Sequence, residues 1–248
     1  MFLFLAGALG GALNSVAGGG SFISFPALLF MGVPPVPANA TSSFALWLGI
    51  SASGGAYRNH LNIARRLMIP LIAASIVGGL AGALLLIHTP AETFLRVIPW
   101  LMLGATLLFA FGKHLTARFS SVMSSHATNA AIGWATSLEL AVAVYGGYFG
   151  GGIGIVNLAM LAMLGMTDIH AMNALKVVLS AVINGAAVVL FIATRAIFWP
   201  QALATAAGAI AGGYLGARYA QKLPAPLVRT VVIAVGAGMS IYFFIRAY

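Results

Sequence analysis

The chain has 248 residues, 61% of them hydrophobic and only 6% charged, with a formal net charge of +9 and a mean hydropathy of +1.03. So little polar material cannot cover a water-facing core, which excludes a soluble domain and leaves an integral membrane protein. Most of the basic residues fall between apolar runs, where the positive-inside preference accounts for them, so no nucleic-acid partner is expected; the absence of cysteine excludes disulfides and thiolate metal sites.

The apolar segments run to about 20 residues, the length at which a helix crosses a hydrocarbon core of roughly 30 Å, so the spacing predicts an all-α polytopic bundle and not a barrel. Met1 to Leu13 carries no basic stretch ahead of its apolar run and reads as a first membrane segment, not a cleaved signal. That segment ends near Ala17, and Gly18-Gly19-Gly20-Ser21 separates it from a second, Phe22 to Met31, too short to span alone. The turn Gly32-Val33-Pro34-Pro35-Val36-Pro37 follows, because proline supplies no N–H and restrains its predecessor. A third segment starts at Ala38 and closes in a basic loop with Arg58, His60, Arg65 and Arg66. The fourth runs Leu67 to Ile87, and the fifth Phe94 to Gly112. A polar stretch, 113–127, reads as a cytoplasmic linker between a first repeat, 1–112, and a second, 128–248.

The second half repeats the order. Thr128 to Phe149 precedes Gly150-Gly151-Gly152, and then come a short segment, Ile153 to Leu164, and three longer ones, Asp168 to Ala193, Phe198 to Ala217 and Pro226 to Ile245. Ile76 to Ala83 reads I-V-G-G-L-A-G-A and Ile210 to Ala217 reads I-A-G-G-Y-L-G-A, an offset of 134 residues that also carries Asn39-Ala40 onto Asn173-Ala174. Matches of this kind at a fixed offset indicate a duplication. Basic residues follow the third segment in the first half but flank the turn after the fourth in the second. Equivalent segments are therefore expected to run in opposite directions, as an inverted repeat with both termini outside. The motifs Gly78-x-x-x-Gly82 and Gly212-x-x-x-Gly216 read as close helix packing.

A triple glycine inside an apolar segment frees backbone groups that lipid cannot satisfy, so it persists only where protein or a cavity surrounds it. Here two such breaks each precede a short helix, whose N-terminus carries about half a positive charge. Gly18, Gly19, Gly20 and Ser21 with Gly150, Gly151 and Gly152 thus form a candidate anion site, the plainer alternative being tight turns. Asn39, Thr41, Ser42 and Asn173, at matching helix starts, are candidates for neutral hydrogen bonds, the alternative for Asn39 and Thr41 being ordinary helix caps. Lys176 lies about 12 Å into its segment, where an unpaired ammonium costs at least ~2.5 kcal/mol, so a functional role is the default and snorkelling or a salt bridge the alternative. Only Glu92, Glu139 and Asp168 are acidic. Glu139 is the one at mid-membrane depth, and two roles fit it equally: a partner for Lys176 or a carrier of protons. Ser180 and Asn184 fall on the Lys176 face. Asp168 reads as a helix cap, and Asp168-x-His170 lacks a third ligand nearby, so no metal is expected. Phosphate-loop, zinc-protease and nucleophile-elbow motifs are absent, and no cofactor is expected.

The Gly-Gly-Gly of the first half, with Pro26 and Asn39-Ala-Thr-Ser, and the second-half block Gly-Ile-Gly-Ile with Met172-Asn-Ala-Leu-Lys176, resemble the TauE/SafE sulfite exporter family over essentially the whole chain. The resemblance implies a secondary transporter of sulfite, sulfonates or related anions in the bacterial inner membrane, with seven to nine spans. Ten segments fit that number only if the short ones are re-entrant. The expected partners are the lipid bilayer, a small anion and, at most, a second copy of the chain in a homodimer. A membrane-embedded enzyme and a passive anion channel are the rival classes.

Overall fold

A computed structural model describes residues 1–16, 18–57, 65–116, 129–166, 169–219 and 225–248. The core of the linker, Ala17, Arg58, His60, Asp168 and Lys222 lie outside the described residues. So do the side chains of His170, Arg218 and Arg229.

Ten helices form among the described residues: α1 (Phe2–Val16), α2 (Ser21–Phe30), α3 (Pro35–Tyr57), α4 (Arg65–His88), α5 (Ala91–Thr116), α6 (Asn129–Tyr148), α7 (Ile153–Met163), α8 (Ile169–Ala193), α9 (Trp199–Tyr219) and α10 (Ala225–Ala247). Each corresponds to one expected segment, which makes the protein an all-α bundle. Within α4, α5 and α8, stretches of 24, 18 and 23 residues are long and apolar enough to cross a membrane. With 10 and 11 residues, α2 and α7 reach only about half of the hydrocarbon thickness at the helical rise. Pro35 opens α3, where a missing N–H costs nothing, and the first backbone bond runs from Ala38 N to Pro34 O at 2.8 Å.

The halves exchange contacts reciprocally. First-half α1 packs on second-half α9, and second-half α6 packs on first-half α4; α3 meets α8 and α5 meets α10. Small residues permit these approaches. A Cβ on Gly78 would stand 2.8 Å from Leu140 O, one on Gly79 2.7 Å from Ile183 O, and one on Gly216 2.6 Å from Ala12 Cα. Along α1, residues Phe4, Ala8 and Ala12 meet Gly208, Gly212 and Gly216, so the numbers rise together and α1 and α9 run the same way. Gly78 against Ala143 and Gly82 against Tyr148 give α4 and α6 the same relation. Trp47 Nε1 donates to Ala181 O at 3.1 Å, tying α3 to α8.

Aromatic rings hold the short helix α2 in place. Phe25 is fully buried, and its ring lies 6.1 Å from Phe94 of α5, 6.2 Å from Phe149 and 5.7 Å from Phe243 of α10. Such pairs contribute about 0.5–1.5 kcal/mol each beyond the area they bury. Phe149 immediately precedes the second glycine break, so the same cluster anchors α2 and the turn into α7.

Candidate anion site at the two helix breaks

The chain reverses at both breaks through backbone that only glycine adopts freely: Gly18 has φ +83°, Gly150 φ +70° and Gly152 φ +75°. At the first break Gly18 N still bonds Asn14 O, at 3.0 Å, and α2 then begins at Ser21 with no side-chain cap. At the second, Tyr145 Oη donates to Gly151 O and holds the turn against α6. The sequence suggested that the first N–H groups of both short helices were free. Part of that set is used locally, since Phe22 N bonds Gly19 O and Ile23 N bonds Gly20 O, each at 3.1 Å, and Ile155 N bonds Gly152 O at 2.9 Å. The N–H groups of Gly20, Ser21, Gly151, Gly152 and Gly154 take no backbone partner among the described residues.

The two breaks touch. A Cβ on Gly154 would lie 2.7 Å from Gly18 Cα, so backbone from one half rests directly on backbone from the other. The same position lies 3.4 Å from Lys176 Cδ, which runs the lysine stem past the junction. Lys176 is 3% exposed, and its Nζ donates to Asn173 Oδ1 at 3.0 Å. It neither snorkels outward nor forms an ion pair with Glu139. An ammonium with a neutral partner, beside two helix starts of positive polarity, forms a deep electropositive spot.

The neutral residues expected at this site divide. Asn173 sits with Lys176. Ser42 Oγ and Ser24 Oγ share a hydrogen bond of 2.6 Å between α3 and α2. Thr41 Oγ1 accepts from Phe198 N at 3.1 Å and fixes the approach to α9, while Asn39 Nδ2 donates to Tyr148 O at 3.1 Å at the end of α6. Thr41 and Asn39 therefore carry bonds that join the halves. The row predicted along α8 continues past Lys176: Ser180 Oγ accepts from Asn157 Nδ2 at 3.0 Å, and Asn184 Nδ2 donates to Ser180 O at 2.9 Å. Asn157 was not anticipated, although its signal was visible as the one polar side chain in an otherwise apolar α7.

Glu139 faces α4. Its Oε1 accepts from Ser75 Oγ at 2.5 Å, and its Oε2 is buried without a partner. Ser75 has no local signature along the chain, because its role depends on the α4–α6 crossing. A separate cavity of about 570 Å³ lies between α1, α2 and α10, lined by Phe2, Leu5, Leu9, Phe30, Met239 and Tyr242 among others. Its walls are apolar and offer an anion nothing. Among the described residues no cluster of histidines and acids is placed to hold a metal ion.

The model of the sulfite exporter TauE/SafE family matches residues 3–243. The chain belongs to that family. It is similar to the probable membrane transporter protein ORF9 of Sinorhizobium sp, at 26% identity over 97% of this chain and 90% of the relative. It also resembles a probable membrane transporter protein of Haemophilus influenzae, at 28% over 93% and 89%. The probable membrane transporter protein YfcA of Escherichia coli K12 is 27% identical over 96% and 87%. No solved structure matches. As a member of the TauE/SafE family with several apolar helices, the chain is a multi-pass membrane protein.

Proposed function

We propose that this protein is a secondary transporter of the bacterial inner membrane that moves sulfite or an organosulfonate by alternating access. The observation that carries the proposal is the contact of Gly18 with Gly154 beside the buried Lys176. The anion binds beside this contact, where Gly20, Ser21, Gly151, Gly152 and Gly154 offer N–H groups, Lys176 supplies charge, and Asn173 orients the ammonium. Because α1 packs on second-half α9 and α6 on first-half α4, the bodies that rock are these mixed helix groups, each carrying one break, and their motion opens the site to one side at a time.

An inverted repeat, 1–112 and 128–248 joined by the cytoplasmic linker, suits this mechanism. The reciprocal exchange of contacts supports a twofold relation between the halves, and the basic residues, after the third segment in the first half but around the turn after the fourth in the second, support its inversion. Glu139, bonded among the described residues to Ser75 and not paired with Lys176, is the candidate proton carrier. Proteoliposomes test the whole: sulfite uptake is expected to saturate and to show countertransport, and a flux that does neither is a channel's. In a pH jump, Glu139→Gln is expected to abolish the dependence of flux on the proton gradient; an unchanged dependence removes Glu139 from the coupling.

A further inference from the structure

The two breaks are equivalent in the duplication but not in chemistry. At the offset of 134, Lys176 of α8 corresponds to Ser42 of α3, Asn173 to Asn39, and Val177 to Ser43. Lys176 lies along Gly154 at the junction with the first break. At the second break, by contrast, the backbone beside Gly150 is edged with oxygen. The position of a Cβ on Gly150 is 3.3 Å from Gly146 O, 3.5 Å from Ser43 Oγ and 3.6 Å from Asn184 Oδ1.

These oxygens are left over after the nearby donors have been used. Asn184 commits its Nδ2 to Ser180 O, which leaves Oδ1 beside Gly150. Ser43 is 4% exposed, and its Oγ has no partner among the described residues. One helical turn earlier on α3, Asn39 gives Nδ2 to Tyr148 O and keeps a buried Oδ1 with no partner. The regular backbone bonds of α6 end with Phe149 N on Tyr145 O, so Gly146 O belongs to a helix C-terminus, which carries about half a negative charge. A carbonyl, an amide oxygen and a hydroxyl that can turn its lone pairs towards them, at a negative helix end, suit a cation. No carboxylate joins the ring, and hard divalent ions are held mainly by carboxylates, so a single charge is what neutral oxygens can balance.

The geometry points to a monovalent cation site, of the sodium class, beside Gly150, formed by Gly146 O, Ser43 Oγ and Asn184 Oδ1. The C-terminus of α6 and the N-terminus of α7 flank one glycine turn. A cation on the first and an anion on the second attract across it, and each raises the affinity for the other. This coupling rests on the transport proposal; cation binding by itself does not.

The test is thermal unfolding of the purified full chain in sodium, potassium and N-methylglucamine chloride at equal ionic strength, with and without sulfite. Sodium is expected to raise the Tm saturably above the other two salts. Ser43→Ala and Asn184→Ala are expected to weaken the sodium response at least tenfold, while Asn184→Asp, which keeps the oxygen and adds charge, retains or tightens it. Equal Tm in the three salts overturns the site, as does an undiminished sodium response in Ser43→Ala and Asn184→Ala. A sulfite shift in N-methylglucamine without any sodium shift overturns the cation site alone; a sodium shift without any sulfite shift overturns the anion proposal alone.

Discussion

Replacing Lys176 with methionine separates a binding role from a structural one. Methionine keeps the unbranched stem that runs past Gly154 and removes only the ammonium and its 3.0 Å bond to Asn173. Holding an unpaired charge at this depth costs at least ~2.5 kcal/mol, whereas a hydrogen bond to a charged group contributes about 1.5–3 kcal/mol. These terms nearly cancel, so the anion-free variant is expected to unfold within a few degrees of the parent protein. Binding behaves differently. An anion that loses one charge-assisted bond loses about 1.5–3 kcal/mol, which at 1.4 kcal/mol per factor of ten is a drop of roughly 10- to 150-fold in affinity. The assay is the sulfite-dependent rise in Tm, titrated in parallel with saturable uptake into proteoliposomes. A variant that binds sulfite as tightly as the parent, or that unfolds without sulfite present, refutes the assignment of Lys176 to the anion.

Three further outcomes follow from the same geometry. Gly154→Ala drives a methyl to 2.7 Å from Gly18 Cα, and is expected to lower the Tm and abolish uptake together. Gly104→Ala meets nothing within 4 Å and is expected to stabilise α5 by about 0.5–1 kcal/mol in chemical denaturation, leaving uptake unchanged. Thr41→Val keeps the shape but strips the acceptor from Phe198 N; leaving a buried N–H unpaired costs about 1–3 kcal/mol, read as a lower Tm with sulfite affinity preserved.

What the sequence made legible was whatever depends on local chemistry. Apolar length, the glycine triplets and the proline-rich turn marked all ten segments to within a few residues, because those signals act along the chain. The depth of Lys176 was likewise visible from its distance into an apolar run. Contacts between segments were not. Whether Glu139 paired with Lys176 depended on which helix α6 faces, and it faces α4, where Ser75 meets it. Thr41 and Asn39 look like helix caps or ligands in isolation, yet both bond backbone of the other half. Ser43 drew no attention because a serine beside other serines has no local signature, and its place is fixed by the α3–α8 crossing and the turn at Gly150.

The most direct measurement is an experimental structure with selenite, a heavier analogue of sulfite, located by its anomalous scattering. The anion is expected beside Gly18 and Gly154, within hydrogen-bonding distance of Lys176 Nζ and of amides at Ser21 or Gly152. Selenite found only at the membrane faces, or two glycine breaks separated by lipid, would contradict a site built from both halves.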